Sequence, residues 1–315
     1  MKRKSLLLFV LIGSLCLFSC GKKEENPSSL SSLTNMKPQT SFEGQIIFQS
    51  NADGDNEIYL MSGEKIKKLT DNSWDDRYPV WSPDGDQIAF YANPQGNYDI
   101  YLMNSDGSGV TRLTSSPATE KTPAWFNDGQ GLVFARSQKK LIRKKTFLFR
   151  IDIQSGKTKR LIPDSDQTQS IPNVSPKAPV ITFTGKRTLG WDVALYHLKE
   201  KKVQFLHEGG KSCRARFSPD GQKLVYVSSQ ADGKGDIWLM NPDGSDKKRL
   251  THRDETYDYF PSWSPDGGTI VFNSSHQHDH DGDWKLYLLD VSTGKTSLLF
   301  DSPGSDIFPD WYGIQ

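Results

Sequence analysis

The chain has 315 residues, with 39 Lys and Arg against 38 Asp and Glu, so its formal net charge at neutral pH is +1. A chain this close to neutrality lacks the excess positive charge typical of nucleic-acid-binding proteins, and we predict no nucleic-acid partner. Aromatic residues make up 11% of the sequence, and Asp-Gly and Pro turn motifs are frequent. This composition excludes a wholly disordered chain.

The first twenty residues are typical of an export signal. Residues 1–4 are basic at three positions, and residues 5–16 form an apolar stretch shorter than a membrane-spanning helix needs. The stretch leads into Leu17-Phe-Ser-Cys20, which resembles the lipobox of bacterial lipoproteins. The resemblance implies that residues 1–19 are a lipoprotein signal peptide, cleaved before Cys20, and that the Cys20 thiol is lipidated. The alternative is an ordinary secretory signal in which Cys20 falls by coincidence.

The next segment, residues 20–43, is rich in Ser, Lys, Glu, Asn and Pro, which predicts a flexible tether. Burial of acyl chains, at about 0.8 kcal/mol per CH₂, would attach such a tether to a membrane. Residue 21 is Gly, not the Asp that favours inner-membrane retention in enteric lipoproteins. We therefore expect a lipid-anchored protein of the bacterial cell envelope. The outer membrane is favoured, with the chain facing the periplasm or the cell surface.

From residue 44 onward the chain is a series of repeats. A motif of the type Pro-x-Trp-Ser-Pro-Asp-Gly recurs with variations, and its aromatic or apolar anchor falls at positions 81, 125, 174, 217, 263 and 311. A repeat period between 40 and 50 residues is typical of β-propeller blades. Each full motif precedes an apolar strand, a polar loop, a second strand such as 99–103, a tight turn and a third strand such as 110–114. The repeats therefore predict four-stranded antiparallel blades and an all-β fold.

The two ends of the repeat series predict how the ring closes. The first strands, at 45–48, 57–61 and 65–69, have no Pro-x-Trp motif before them, and the last motif, at 309–311, has no strands after it. The C-terminal strand can therefore complete the first blade, which removes two exposed sheet edges. This gives a six-bladed β-propeller over residues 44–315.

The repeated motifs resemble those of the TolB-type propellers, a family with WD-like repeats. The resemblance covers nearly all of residues 44–315 and is carried by Ser-Pro-Asp-Gly, Asp-Ile-Tyr-Leu-Met and Arg-Leu-Thr. It implies the fold but not one function, because the same blades serve periplasmic scaffolds, peptidase gating domains and some lyases. TolB proper also has an N-terminal α/β domain, and the peptidases have a C-terminal hydrolase domain. Here a short tether precedes the propeller and the closing strand is the last element, so we expect this protein to be equivalent to neither relative.

The propeller model assigns the Ser-Pro-Asp-Gly turns to one face, here called the turn face. The loops before the innermost strands and after the second strands lie on the opposite, loop face. The residues three before the innermost Pro form one set around the axis: Asp76, Glu120, Gln169, Lys211, Asp258 and Asp306. Four of these are acids that could line the channel mouth and bind a cation or a cationic peptide, with Trp74 and Tyr257 as aromatic contacts. The alternative, which we favour, is that the acids cap neighbouring backbone amides or pair with nearby Arg and Lys.

Three further features have two interpretations each. His276, His278 and His280 alternate with acids and could bind a metal ion, although a solvated loop is the simpler interpretation. Cys213 could be reactive, but a small buried hydrophobe is the simpler interpretation. The segment 136–145 carries six basic residues and is predicted to be a loop that either orients an anionic glycan or partner or is merely solvated.

These observations favour a non-enzymatic, monomeric propeller that binds an envelope protein or peptide on its loop face. The sequence contains no nucleophile motif of the Gly-x-Ser-x-Gly type, and we expect no cofactor beyond a divalent cation at most. One alternative is a metal-dependent polysaccharide lyase or hydrolase acting at the channel mouth. A third hypothesis, a purely structural assembly subunit, is not distinguished from the first by sequence.

Overall fold

The protein is described by a computed structural model that covers residues 33–140, 143–206, 209–253, 255–276 and 282–313, with backbone alone at 139, 140, 143 and 144. Over these residues the chain forms 24 β-strands arranged in six four-stranded sheets. The sheets are antiparallel throughout and follow one another around a common axis. The predicted six-bladed, all-β propeller is confirmed. Within the same ranges, no helix is long and apolar enough to cross a membrane.

The strands of the first three blades are as follows. Blade 1 contains β1 Gln45–Ser50, β2 Glu57–Ser62, β3 Lys65–Lys68 and, from the C-terminus, β24 Asp306–Tyr312. Blade 2 contains β4 Asp76–Trp81, β5 Gln87–Ala92, β6 Asp99–Asn104 and β7 Thr111–Arg112. Blade 3 contains β8 Glu120–Trp125, β9 Gly131–Lys140, β10 Arg143–Asp152 and β11 Thr158–Arg160.

The remaining three blades follow the same order from the axis outward. Blade 4 contains β12 Gln169–Val174, β13 Val180–Lys186, β14 Trp191–His197 and β15 Lys202–Phe205. Blade 5 contains β16 Ser212–Phe217, β17 Leu224–Ser228, β18 Asp236–Met240 and β19 Lys248–Arg249. Blade 6 contains β20 Tyr257–Trp263, β21 Thr269–Ser275, β22 Lys285–Asp290 and β23 Thr296–Phe300.

Closure of the ring occurs as the sequence predicted. Strand β24 pairs antiparallel with β1, with Trp311 opposite Ile46 and Tyr312 opposite Gln45. Blade 1 is therefore built from both ends of the propeller, and the inner edge of β1 is hydrogen-bonded by β24. The indole Nε1 of Trp311 also donates to the backbone oxygen of Glu43, 2.8 Å away, which fastens the closing strand to the segment before β1.

Residues 33–43 precede the propeller and contact it. A short 3-10 helix, Leu33–Asn35, begins this segment, and the Leu33 side chain is buried in the apolar cluster of blades 1 and 6. The amide of Gln39 donates to the carbonyl of Leu299 over 2.8 Å, and the Phe42 ring contacts Trp311 edge-to-face at 5.8 Å. Residues 33–43 thus pack against the propeller, which corrects the prediction that the flexible tether extends to residue 43.

The basic segment of blade 3 is also different from its predicted form. Strands β9 and β10 are ten residues long, whereas most strands in the other blades have four to seven. Their register runs from Gly131 opposite Asp152 to Lys140 opposite Arg143. Segment 136–145 is therefore largely a hairpin that extends the blade beyond its neighbours on the loop face, not a loop.

The Ser-Pro-Asp-Gly motif is structural, as predicted. In blade 2 the Ser82 hydroxyl donates to Asp84 Oδ1 over 2.6 Å and accepts from the Gln87 amide at 2.9 Å, while Gly85 takes a φ of 76°. The same bonds recur at the equivalent Ser of blades 5 and 6. Gly is required because a left-handed φ strains other residues. The repeated motif therefore fixes each turn between the innermost strand and the second strand.

The motifs Asp-Ile-Tyr-Leu-Met and Arg-Leu-Thr are joined in space. In blade 2 the Ile100 amide donates to Thr114 Oγ1 over 2.9 Å, and the Arg112 guanidinium lies 2.7 Å from a carboxylate oxygen of Asp99. Blade 5 repeats both contacts, with Arg249 2.9 Å from Asp236. These bonds attach the outermost strand, and the chain that leads to the next blade, to the third strand of the blade. They matter because these outermost strands are short and form few backbone hydrogen bonds of their own.

Every innermost strand has a β-bulge at the same place. The register of each strand shifts there, and the residue before the innermost Pro, or before Ala215 in blade 5, has a left-handed φ between 50° and 58°. We call this set the bulge ring: Tyr78, Thr122, Ile171, Arg214, Phe260 and Phe308. None is Gly, so each position carries backbone strain of about 1–2 kcal/mol.

We predict that Thr122→Gly stabilises the protein by about 1 kcal/mol, because Gly accepts the left-handed φ and its own entropic cost is smaller than the relief of strain. The change also removes a buried hydroxyl that has no hydrogen-bond partner among the described residues. The control is Thr114→Gly, which deletes the acceptor of the Ile100 amide and should lower stability. Thermal unfolding midpoints of the two variants would move in opposite directions. If both variants lowered the unfolding midpoint by the same amount, the strain argument would be wrong.

Candidate functional site

The four predicted acids are buried at the junctions between blades. Asp76 is 2% exposed, and Glu120, Asp258 and Asp306 are 0% exposed. This corrects the sequence-based hypothesis that they form an accessible ring at the channel mouth. In blade 5 the member of this set is Ser212, not the predicted Lys211. Ser212 lies three residues before Ala215, and it is opposite Ser228 in the sheet just as Asp258 is opposite Ser274.

Each buried acid has a local partner, although Glu120 Oε2 and Asp258 Oδ2 have none among the described residues. Asp76 accepts a hydrogen bond from Asn72 Nδ2 at 2.5 Å, and Glu120 pairs with Arg136 Nε at 2.5 Å. Asp258 accepts from Ser274 Oγ at 2.6 Å. These contacts match the alternative in which the acids hold neighbouring groups in place. The four carboxylates therefore present no surface to a partner.

Burial also changes the protonation of the junction carboxyls. It raises the pKa of Asp306 to about 7, against opposing hydrogen bonds from Ser50 and Ser302. Burial likewise raises the pKa of Glu57 to about 7, although Thr70 and the Asn72 amide donate to it. Because folding raises both pKa values, the contribution of these two groups to stability depends on pH.

The side chains that do meet at the axis belong to the bulge ring. The rings of Tyr78, Phe260 and Phe308 contact one another, with centroids 5.0 Å apart for Tyr78 and Phe308 and 4.3 Å apart for Phe260 and Phe308. Tyr78 and Phe260 are separated by 6.1 Å. These aromatic rings narrow the channel at its middle, so a cavity is found on each side of them.

On the turn face the cavity measures about 640 Å³ and is lined largely by Pro and Trp of the repeated motif. At its base the Arg216 guanidinium pairs with Asp310, and Nη1 of Arg216 also donates to Ser262 Oγ over 3.0 Å. The other carboxylate oxygen of Asp310 accepts from the Trp81 amide at 2.8 Å. This cluster joins blades 1, 2, 5 and 6, and its charges are paired.

On the loop face the cavity measures about 450 Å³, and its lining is mainly aromatic and apolar. Tyr259 and Trp284 form one wall with their ring centroids 5.7 Å apart, and Phe260 and Phe308 lie toward the base. We call this space the loop-face cavity. Apolar pockets with a few polar groups are the usual form of binding sites.

Arg214 is the cation of the loop-face cavity. Its guanidinium carbon lies 4.8 Å from the centroid of the Tyr259 ring and 4.4 Å from that of Phe260. Nη1 of Arg214 donates to the Cys213 sulfur over 2.7 Å, and Nε is buried without a hydrogen-bond partner. Across the described ranges, no carboxylate forms an ion pair with Arg214.

Asn273 gives the same cavity an acceptor. The residue is 1% exposed, and its Oδ1 has no hydrogen-bond partner in the part of the chain that the structure describes. Buried polar atoms normally find partners, so an orphan atom at a cavity requires an explanation. The loop-face cavity thus combines aromatic walls with one unpaired cation and one unpaired acceptor.

Exposed aromatic residues surround this cavity on the loop face. Trp74 is 39% exposed and Trp191 is 38% exposed. The predicted contact Tyr257 is half-buried and stacks against Tyr259 at 6.4 Å. Of the six residues predicted to contact a partner, Trp74 and Tyr257 are the two that reach the surface. Trp191, which also lines the cavity, and the other lining residues were not predicted as partner contacts.

In two blades the residue immediately after the junction acid is a cation. In blade 2 this is Arg77, which lies 3.1 Å from Asp75, and in blade 3 it is Lys121, whose Nζ is 4.4 Å from the Tyr98 ring centroid. Beside the buried acids these two blades therefore carry cations, of which Arg77 is paired with Asp75 and Lys121 lies over an aromatic ring. Aligning the repeats and comparing the residues one position after the junction acids would have identified these two cations.

The other predicted residues are placed as follows. Cys213 is half-buried and borders the loop-face cavity. His276 is exposed, with Nδ1 3.3 Å from the Glu255 carbonyl oxygen. Cys20, His278 and His280 lie outside the described residues, so lipidation and the His metal site stay predictions. Within the described ranges, no group of three or more His, Cys, Asp and Glu side chains is arranged to hold a metal ion.

Comparison with protein families and relatives gives a consistent result. Residues 21–199 and 144–312 match the model of the TolB beta propeller domain. An uncharacterized protein of Agrobacterium fabrum is 28% identical over 256 residues, covering 74% of this chain and 80% of that protein. Dipeptidyl-peptidase 5 of Porphyromonas gingivalis is 25% identical over 68% of this chain, and the Protein TolB homolog of Chlorobium luteolum is 28% identical over 67%. The chain spans only 39% and 36% of the length of these two relatives.

Solved structures share the propeller. TolB from Acinetobacter baumannii aligns with a TM-score of 0.73 at 20% identity, covering 87% of this chain and 68% of that chain. A putative TolB from Agrobacterium tumefaciens aligns at 0.62 and 20% identity, covering 87% and 100%. An oligogalacturonate lyase in complex with manganese aligns at 0.57 and 16% identity, covering 85% and 77%. At these identities the similarity shows the fold alone.

Proposed function

Because this chain belongs to the TolB β-propeller family, we propose that it is a non-enzymatic, lipid-anchored propeller of the cell envelope. In this proposal the loop face binds a protein or peptide partner, and Cys20 carries the lipid. The TolB relatives support an envelope role, and the lipobox-like sequence supports the anchor. The protein acts as a rigid scaffold that presents one recognition face.

The loop-face cavity is the observation that carries the proposal. It has aromatic walls, an unpaired cation in Arg214 and an unpaired acceptor in Asn273. By contrast, the charges at the base of the turn-face cavity are already paired with each other. Aromatic and Arg side chains in a water-excluding pocket are the groups that contribute most to protein recognition. The exposed indoles of Trp74 and Trp191 extend the same surface outward.

The strained backbone at the axis supports the same face. Left-handed φ values at bulky residues cost free energy and tend to occur at functional sites. Arg214, Phe260 and Phe308 have this conformation and line the loop-face cavity. The bulge orients these side chains toward the axis, where a ligand can contact several blades at once.

The proposal is tested by crosslinking in intact cells. A photoreactive amino acid replaces Trp74 or Trp191 on the loop face, and Gln222, exposed on the turn face, provides the matched control. We expect discrete crosslinked partners from both loop-face positions and none in common with the control. Mass spectrometry then identifies the crosslinked protein.

Two results would contradict the proposed function. One is the absence of any crosslinked species from the loop-face positions while the protein is present at its normal level. The other is the same set of species from Gln222, which would mean that the crosslinks report abundance and not a specific face.

A further inference from the structure

We infer that the loop-face cavity binds the free C-terminal carboxylate of a peptide or protein whose last side chains are apolar. This inference rests on the proposed function, since it specifies which part of the partner enters the cavity. It is carried by the side chains of Arg214 and Asn273 together with the closed base of the cavity.

The cation is the first part of the argument. The Arg214 guanidinium has aromatic neighbours at 4.4 and 4.8 Å and a single hydrogen bond, to the Cys213 sulfur. Its Nε is buried and unpaired, and no carboxylate pairs with it in the described ranges. A half-buried cation with a buried, unpaired donor is stabilised when an anion binds to it. A carboxylate matches the planar donor geometry of a guanidinium, because its two oxygens can accept two parallel N–H bonds.

The acceptor is the second part. Oδ1 of Asn273 is buried, borders the same cavity and lacks a donor in the described structure. A peptide end supplies both missing partners, because its carboxylate accepts from Arg214 and a backbone N–H donates to Asn273. Capture of a terminal carboxylate by fixed donors is a known mode of peptide recognition.

The shape of the cavity is the third part. The contacting rings of Tyr78, Phe260 and Phe308 narrow the channel below the cavity, so a chain entering from the loop face meets a base. A terminus fits such a space better than the middle of a chain, which must also leave it. The aromatic walls, including Tyr259 and Trp284, then contact the apolar side chains near the terminus.

The test uses the full-length chain, purified in detergent, and an array of synthetic decapeptides that vary in their last five residues. Each peptide is made with a free carboxyl terminus and with an amidated terminus. We expect the best binders to end in apolar residues. Amidation should weaken them by about tenfold or more, because it removes the charge-assisted bonds to Arg214. Binding is measured by fluorescence polarisation.

The matched variants are Arg214→Gln and Lys186→Gln. Both remove one positive charge, but Lys186 is an exposed loop-face cation near Trp191, outside the cavity. Arg214→Gln should abolish the preference for free carboxyl termini, and Lys186→Gln should preserve it. If Arg214→Gln does not fold, the comparison of free and amidated peptides on the unmodified protein still decides.

Three outcomes would overturn the inference. Equal binding of free and amidated peptides would show that no carboxylate is recognised. A second outcome is that Trp74 crosslinks to discrete partners but no peptide with a free carboxyl terminus binds. The proposed function would then stand, and the recognition of a terminal carboxylate would be refuted. Binding of an oligouronate that depends on Arg214, without peptide binding, would assign the cavity to an acidic glycan instead.

Discussion

Asp310→Asn should lower the free energy of unfolding by about 3 kcal/mol or more, since removing one partner leaves the other charge of a buried ion pair uncompensated. The side chains of Asp310 and Arg216 are each 14% exposed and pair at the base of the turn-face cavity. Asp310 lies on the closing strand, so the same contact also holds the C-terminal end of the propeller. Chemical denaturation of the full-length chain measures the change.

A double variant separates the charge from the packing. Arg216→Met combined with Asp310→Asn removes both charges, and the Asn oxygen can still accept from the Trp81 amide, as Asp310 does over 2.8 Å. Because no unpaired charge remains, the double variant should be more stable than Asp310→Asn alone. The exposed pair Lys37–Glu64 is the control, and Glu64→Gln should leave the free energy of unfolding almost unchanged. Similar losses in Asp310→Asn and Glu64→Gln would contradict this interpretation.

The second large effect concerns pH. Asp306 is buried, and its pKa is raised to about 7 in the folded protein, well above the ordinary value of 3.8. A raised carboxyl pKa means that the folded state holds its proton more tightly than the unfolded state. The associated stability is therefore complete below about pH 4 and is lost as pH rises toward and through 7. Glu57, with a pKa of about 7, and Asp236, with a pKa of about 6, contribute in the same direction.

Asp306→Asn should flatten this dependence. The amide resembles the protonated carboxyl and can keep the contact with the Ser302 amide, which lies 2.9 Å from Asp306 Oδ2. Between pH 5 and pH 7 the free energy of unfolding should fall less steeply in the variant than in the parent. The difference in slope should be about 1.4 kcal/mol per pH unit, which is the contribution of one proton. At pH 8 we expect the variant to be more stable than the parent. Thermal unfolding at a series of pH values measures both.

The control for pH is Asp290→Asn. Asp290 is the last residue of β22, and hydrogen bonds from Ser292 and Thr293 lower its pKa to about 2. A lowered pKa affects stability only as pH falls below about 4, so this variant should show no change in slope between pH 5 and pH 8. If Asp306→Asn behaves like Asp290→Asn over that range, Asp306 is not protonated on folding and the assignment fails.

Part of the candidate site was within reach of sequence reasoning. Trp74 and Tyr257 were predicted on the loop face, and the structure places both at its surface. Arg214 precedes the residue that replaces Pro in blade 5, so it occupies the same repeat position as Phe260 and Phe308. The sequence shows that aromatic residues recur at this position of the repeat, but it does not show that the backbone there is left-handed.

The sequence by itself determined the number of blades and the closure of the ring. The anchor spacing counts the repeats, and each amphipathic or buried strand requires neighbours on both sides, which only a closed ring of six supplies. Strand β24 pairing with β1 follows directly from the unmatched ends.

Only the tertiary structure decided which side chains face the axis. A β-bulge adds one residue to each innermost strand and reverses the alternation of side chains on either side of it. Simple alternation cannot show this, so Asp258 and Asp306 were assigned to the mouth although they are buried between blades. The same bulge places Arg214 in the cavity, because its orientation depends on backbone strain that the surrounding blades impose.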